Sequence, residues 1–289
     1  DGAMDDRVAA GRMPGLDDVL DLSGDRELCA LRRSGEIWCW GGTPTHAAPT
    51  LVAGLPAAVD IAVGATFSCA LGRDAVVWCW GDNDHGQLGD GTTEPRVVPV
   101  RALDHVRSLA AGGVACAVRD DRTAWCWGGF GLWMYQGPPG AEGYAELGCE
   151  GRIVEGPSGS LVTWCPRPFA VPGATDIDEI AVGGEIVVAS RRDRTVLTWD
   201  TSLTSAIPPM ARHAPADAFP IYLLPAADGS TGLVASGRRA CGHRGSDIVC
   251  FGHSGLGGVA DSHGELGLGT VGLLLPAGEV RVLGFPLGD

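Results

Sequence analysis

The chain has 289 residues, with 45 Gly, 19 Pro, ten Cys and a net charge of −14. It is long enough to bury a sizeable core, its Gly and Pro content favours turns over long helices, and it lacks the roughly 18-residue apolar run of a membrane-spanning helix. Every basic residue besides His is Arg, and the densest basic stretch, Arg191-Arg192-Asp193-Arg194, falls in a turn, so no patch exists that would release counterions from a polyanion and nucleic acid is excluded as a partner.

In chain order, the opening DGAMDD reads as a processed start. The first regular unit is VLDLSGDREL followed by CALRRSGEIWCWGG, with Cys29 and Cys39 ten positions apart. A second unit, VDIAVGATFS and CALGRDAVVWCWGD, carries Cys69 and Cys79, and a third, VRSLAAGGVA and CAVRDDRTAWCWGG, carries Cys116 and Cys126. Copy two continues as WGDNDHGQLGDGT, residues 80–92, and then a proline-containing strand. Copy three is interrupted by an insertion at about 129–165, bracketed by Cys149 and Cys165 and holding RIVEGPSGSLVTW, a hairpin pattern. A fourth copy, IAVGGEIVVASRRDRTVLTWD, has Val188 and Thr198 in the cysteine columns; a fifth, residues 233–252, has Cys241 and Cys250 nine apart. The C-terminal GEVRVLGF resembles the same part of the unit as the N-terminal RVAAGRMPGLDDV, which predicts that the two termini close one blade of a single domain spanning 1–289.

Each copy predicts a β-hairpin. If Cys29 faces Cys39, the loop is Arg33-Ser34-Gly35, and a three-residue hairpin loop ends in the left-handed region that Gly favours. In copy five the shortened spacing requires a two-residue loop, Gly245-Ser246, and Gly first is what a type II′ turn needs. Directly opposed residues at a non-hydrogen-bonded site lie about 4.5 Å apart, within disulfide reach. The expected bridges are Cys29–Cys39, Cys69–Cys79, Cys116–Cys126 and Cys241–Cys250, with Cys149–Cys165 closing the base of the insertion. The joint loss of both cysteines in copy four is what a bonded pair predicts. Free buried cysteines are the alternative; zinc is disfavoured because no ligand-spaced Cys/His cluster occurs. Five bridges imply an oxidising compartment: secreted, periplasmic or cell-surface.

The string CAL…CWG-x-N-x2-GQLG-x-G resembles the regulator-of-chromosome-condensation repeat, most closely over residues 61–92. The added cysteines resemble the secreted bacterial branch of that family. The resemblance implies an all-β propeller, usually of seven blades. Five hairpins are present here, so five blades are expected, with six or a truncated seven as alternatives. The recurring Trp residues (38, 40, 78, 80, 125, 127) then pack between blades, sugar- or base-stacking being the alternative. The glycines of GQLG and IAVG serve turns and close approach near the axis.

Catalytic residues, metal sites and cofactors are not expected. Asp82-Asn83-Asp84-His85-Gly86 has calcium-like composition but lacks the distal Glu of a calcium loop. His243, His253 and His263 read as turn histidines, and Asp17-Asp18 and Asp120-Asp121 as solvated carboxylates. The family's nucleotide-exchange activity has no wedge here that can be matched residue by residue. Recognition remains: Trp133, Met134, Tyr135 and Tyr144 of the insertion are the candidate partner-binding residues, of types enriched in binding hot spots. The expected function is a non-enzymatic extracellular propeller that recognises another protein, as an inhibitor of or partner for a secreted or surface protein, since the family that the sequence resembles includes an inhibitor of a β-lactamase. A carbohydrate- or cell-wall-binding module is the alternative, so a glycan partner stays open, and a cryptic hydrolase ranks below both.

Overall fold

The computed structural model describes residues 13, 15–41, 48–132, 149–154, 160–200, 218–224, 227–237, 239–252 and 281–286. These form five antiparallel sheets, one per copy of the repeat. Sheet one is β1 (Val19–Gly24), β2 (Glu27–Arg32), β3 (Ile37–Gly41) and β4 (Thr50–Leu51); sheet two is β5 (Ala58–Val63), β6 (Phe67–Gly72), β7 (Val77–Gly81) and β8 (Arg96–Leu103). Sheet three contains β9 (Val106–Ala111), β10 (Val114–Arg119), β11 (Ala124–Leu132), β12 (Glu150–Val154) and β13 (Ser160–Ala170), with β13 lying between β11 and β12. Sheet four contains β14 (Ile177–Val182), β15 (Ile186–Arg191), β16 (Val196–Asp200) and β17 (Ala218–Leu223); sheet five is β18 (Thr231–Ser236), β19 (Arg239–Arg244) and β20 (Asp247–Gly252). The first strands β1, β5, β9, β14 and β18 neighbour one another in turn. They therefore line the axis from which the blades of a five-bladed propeller splay.

The hairpin register is the one the cysteine spacing requires. Cys29 faces Cys39, Cys69 faces Cys79, Cys116 faces Cys126 and Cys241 faces Cys250. Each pair is bonded, with Cα atoms 4.1 Å apart, and the fifth bridge joins Cys149 to Cys165. In blade four Val188 faces Thr198, and the buried Thr198 hydroxyl donates to Val187 O at 2.8 Å. An apolar–hydroxyl pair thus occupies the column without a bridge.

The loops repeat as closely. Gly35, Ala75, Arg122 and Arg194 all occupy the left-handed region, at φ of 91°, 61°, 65° and 70°. Their carbonyls accept from the next blade's first strand or its approach: from Ala58, Val106, Ile177 and Gly229, at 2.8–3.0 Å. Position and function of the residue outweigh its identity here, since three copies bear a side chain where Gly is preferred. Gly245 opens the shorter fifth loop at φ 63°. Asp121 and Asp193, in the middle of their loops, accept from the amide and hydroxyl of Thr123 and Thr195. Those hydrogen bonds hold both carboxyls below the usual range. Asp121 is accordingly a turn cap rather than a merely solvated carboxylate.

Between blades, one rule recurs. The disulfide face of a blade packs on the tryptophan face of the next: Cys29, Leu31 and Ile37 meet Ile61, Val63, Ala70 and Trp80. Blade two presents Cys69, Leu71 and Val77 to Leu109, Ala117 and Trp127 of blade three in the same way. Near the axis the glycine corners touch through backbone alone, with Ala65 N–H to Gly112 O, Gly113 N–H to Gly183 O and Glu185 N–H to Gly237 O. The GQLG loop does something different from the expected axial role. It reaches outward over blade three, where Gly91 N–H donates to Pro166 O and Gln87 O accepts from the buried Trp127 Nε1 at 2.9 Å.

The C-terminal strand takes a place in sheet four. β21 (Arg281–Pro286) pairs along its length with β17, as the edge strand of sheet four. The reason is register: β17 offers a free edge whose six residues match β21 one for one. Residues 1–12 lie outside the described set.

Gly35 and Ala75 give opposite expected outcomes at equivalent positions. A Cβ on Gly35 would lie 2.8 Å from that of Ala57. Gly35→Ala should destabilise by about 1–2 kcal/mol, while Ala75→Gly should be neutral or stabilising by up to about 1 kcal/mol. Urea denaturation of the oxidised protein measures both.

Candidate functional site

Blade three departs from the others, and does so by lengthening. In the second blade the strand after Cys79 ends at Gly81; in the third β11 runs on to Leu132, and residues 128–132 pair with residues 161–165 of β13. β12 then pairs with the opposite edge of β13, so the predicted hairpin of the insertion exists and gives sheet three its fifth strand. Cys149 and Cys165 are both buried and tie the segment entering β12 to the middle of β13. The chain between Leu132 and Cys149 therefore departs from, and returns to, a stapled platform of three strands, β11, β13 and β12. Trp133, Met134, Tyr135 and Tyr144, the candidate partner-binding residues, lie outside the described residues, between Leu132 and Cys149.

The DNDHGQLGDGT loop is organised around Asn83, which is fully buried. Its Nδ2 donates to Thr92 O and Glu94 O, each at 3.0 Å, while its Oδ1 accepts from Leu88 N–H at 2.9 Å. Asp90 accepts from the Thr92 amide and hydroxyl and pairs with Arg96 at 3.3 Å. Burial works against its ionised form, but the hydrogen bonds from Thr92 and Arg96 outweigh it and hold the carboxyl below the usual range. A cation needs converging oxygens; here an amide N–H2 occupies the centre and uses the carbonyls. The loop is a strut between blades two and three.

Other motifs resolve similarly. Glu27, Cys29 and Cys39 lie close together, but both sulfurs are spent on the disulfide. His243 is exposed on β19, 3.4 Å from the Thr231 hydroxyl; His253 and His263 lie outside the described residues. Among the recurring tryptophans, Trp80 and Trp127 are buried and Trp38, Trp40, Trp78 and Trp125 half-buried. Arg119 stacks over Trp125 at 4.3 Å, and the indole N–H donates to Thr123. These rings are committed to the blades.

One feature was not read from the sequence. Asp21, Asp60, Ser108 and Glu179 occupy one column of the first strands, facing Leu31, Leu71, Val118 and Ser190. Glu179 accepts the N–H of Leu233 from the next blade at 3.2 Å. Asp60 likewise accepts from Leu109 of the next blade, and from Ile61 at 2.8 Å. Burial pushes the Asp60 carboxyl up to about 6, and the nearby Asp21 adds to the rise, against those two amide bonds. The column is a polar seam between first strands. The copies DLSG, DIAVG, SLAAG and EIAVG display it once aligned, but not its burial.

These geometries fit the comparisons with known proteins. Residues 58–87 and 74–118 match the Regulator of chromosome condensation (RCC1) repeat. Among solved structures, the chain resembles human WBSCR16, with 16% identity over 81% of this chain and 61% of that one, TM-score 0.55. It also resembles Prp20p from Saccharomyces cerevisiae, with 22% identity over 65% of this chain and 47% of that one, TM-score 0.51. The chain thus spans about half to three fifths of the length of these structures, and at such identity the likeness establishes the fold. A search of the curated proteins gives no match.

Two outcomes are expected. Asn83→Ala should cost about 2 kcal/mol, because buried carbonyls and an amide lose their partner, and calcium should not restore the lost melting temperature. For Asp60 the folded value lies above the unfolded one, so its stabilising contribution is full below about 3.8 and is lost as pH rises through about 6. Asp60→Asn should therefore stabilise the protein at pH 7.5 by about 1–3 kcal/mol and have no such effect at pH 4, as read by denaturant midpoints.

Proposed function

We propose that this propeller of regulator-of-chromosome-condensation repeats is a non-enzymatic recognition protein of an oxidising compartment outside the cytoplasm, and that it binds another protein through the insertion of blade three. The observation that carries this reading is the stapled platform of β11, β12 and β13. Loop and corner hydrogen bonds of the repeat recur from blade to blade, and among the described residues blade three alone adds a strand closed by a disulfide of its own. A rigid base presenting a Trp-, Met- and Tyr-containing loop is what a protein-binding hot spot requires.

All ten cysteines are paired and none is free. That supports a secreted, periplasmic or surface location, as in the cysteine-containing bacterial branch that the sequence resembles. Among the described residues the groups with chemical potential are engaged in the frame: Asn83 in its loop, Asp60 and Glu179 in the polar seam, the tryptophans between blades. The solved Prp20p structure was described with its binding properties to Gsp1p and histones; this chain's net charge of −14 and paired cysteines favour a different, extracytoplasmic protein.

The test compares the oxidised wild type with Trp133→Ala/Tyr135→Ala in capture from a secreted protein fraction and on a glycan array, with inhibition of a panel of secreted hydrolases as a functional readout. A protein retained by the wild type and lost at least about tenfold by the double variant, at unchanged melting temperature, is the expected result. Glycan binding or equal capture by both proteins would refute it.

A further inference from the structure

The four internal blade interfaces share one build, and the two end blades each expose one half of it. On blade five, Ile248 occupies the column of Ile37 and Val77, which are 1% and 0% exposed in blades one and two; Ile248 is 77% exposed. Val234, facing Cys241, is exposed beside it, and the Cys241–Cys250 bridge is half-buried where the bridges of blades one to three are buried. On blade one, Leu22 occupies the column of Ile61 and Leu109, at 4% and 8%, yet is 62% exposed. Leu28, in the column of the fully buried Ser68 and Ala115, is 44% exposed.

The backbone ladders stop at the same place. The glycine corners of blades two to five are linked successively as far as Gly237, around whose would-be Cβ there is nothing within 4 Å. The carbonyls of the left-handed loop residues of blades one to four each accept an N–H from the next blade, whereas Gly245 of blade five faces open space. Solvent-facing repeat units carry polar outer faces; the outer faces of blades one and five expose apolar residues instead.

We propose that two copies of this chain associate head to tail, the disulfide face of blade five in one copy seating the tryptophan face of blade one in the other. The occupant is set by continuity with the internal interfaces: the half that blade five lacks is the half that blade one offers. Such a contact is heterologous, so it either closes through a second identical contact or propagates.

The experiment is sedimentation velocity of the oxidised full chain over a range of concentrations, with Leu28→Asp and Ile248→Asp. Both side chains are exposed, so folding should survive, as checked by circular dichroism and the disulfide map. The wild type should associate reversibly, and each variant alone should associate more than about tenfold more weakly. An equimolar mixture of the two variants should restore a dimer and nothing larger, because the pair retains one intact half-interface of each kind. A wild type that stays monomeric throughout, or a mixture no more associated than its components, overturns the proposal; so does a monomer in which Leu28→Asp lowers the melting temperature as an internal blade contact would.

Discussion

A blade of this protein is apolar on both faces, and that constraint governs everything else. A sheet with one dry face can stack on a partner and present the other face to water. Here Cys29, Leu31 and Ile37 line one face of blade one and Ala30 and Trp40 point to the other, so a lone blade would leave half its core wet. Only neighbours on both sides satisfy it. The glycine corners, the left-handed loops and the GQLG strut each fix where the neighbour sits: at the axis, at the loop end and across the outer strands.

The disulfides belong to the same logic. Each joins directly opposed residues of a hairpin and closes a short loop, so it constrains the unfolded chain while filling the interface with a compact apolar group. Blade four shows that the interface rather than the bond is required. Val188 and Thr198 fill the column, with the hydroxyl turned to the backbone, and the blade still packs. Within the seam Glu179 is partnered by the Leu233 N–H, whereas the buried Ser108 hydroxyl has no hydrogen-bond partner. Asp60 is the costly member, since two amide bonds do not offset its burial beside Asp21.

Regularity of this kind leaves few places for function. A frame that spends its tryptophans, glycines and buried polar groups on holding blades together can vary only where the repeat is interrupted or ends. Blade three interrupts it with a stapled extra strand, and the outer faces of blades one and five leave apolar residues exposed.

Much of this frame was legible in the sequence because it depends on local spacing. Cysteines ten apart, Gly35 at the loop end and the compensated Gly245-Ser246 turn fix hairpin register within a dozen residues, and the resemblance of the repeat to a known family implied the propeller. What the tertiary structure decided was long-range. β21 lies beside β17, because edge pairing is a choice among distant strands with similar patterns. The outward reach of GQLG onto Pro166 and Trp127, the burial of Asp60 against blade three, and the exposure of Leu22 and Ile248 are likewise set by which blade is next door. A repeat spells out its own hairpin identically each time; whether its faces are covered is a property of its neighbours, which no single copy records.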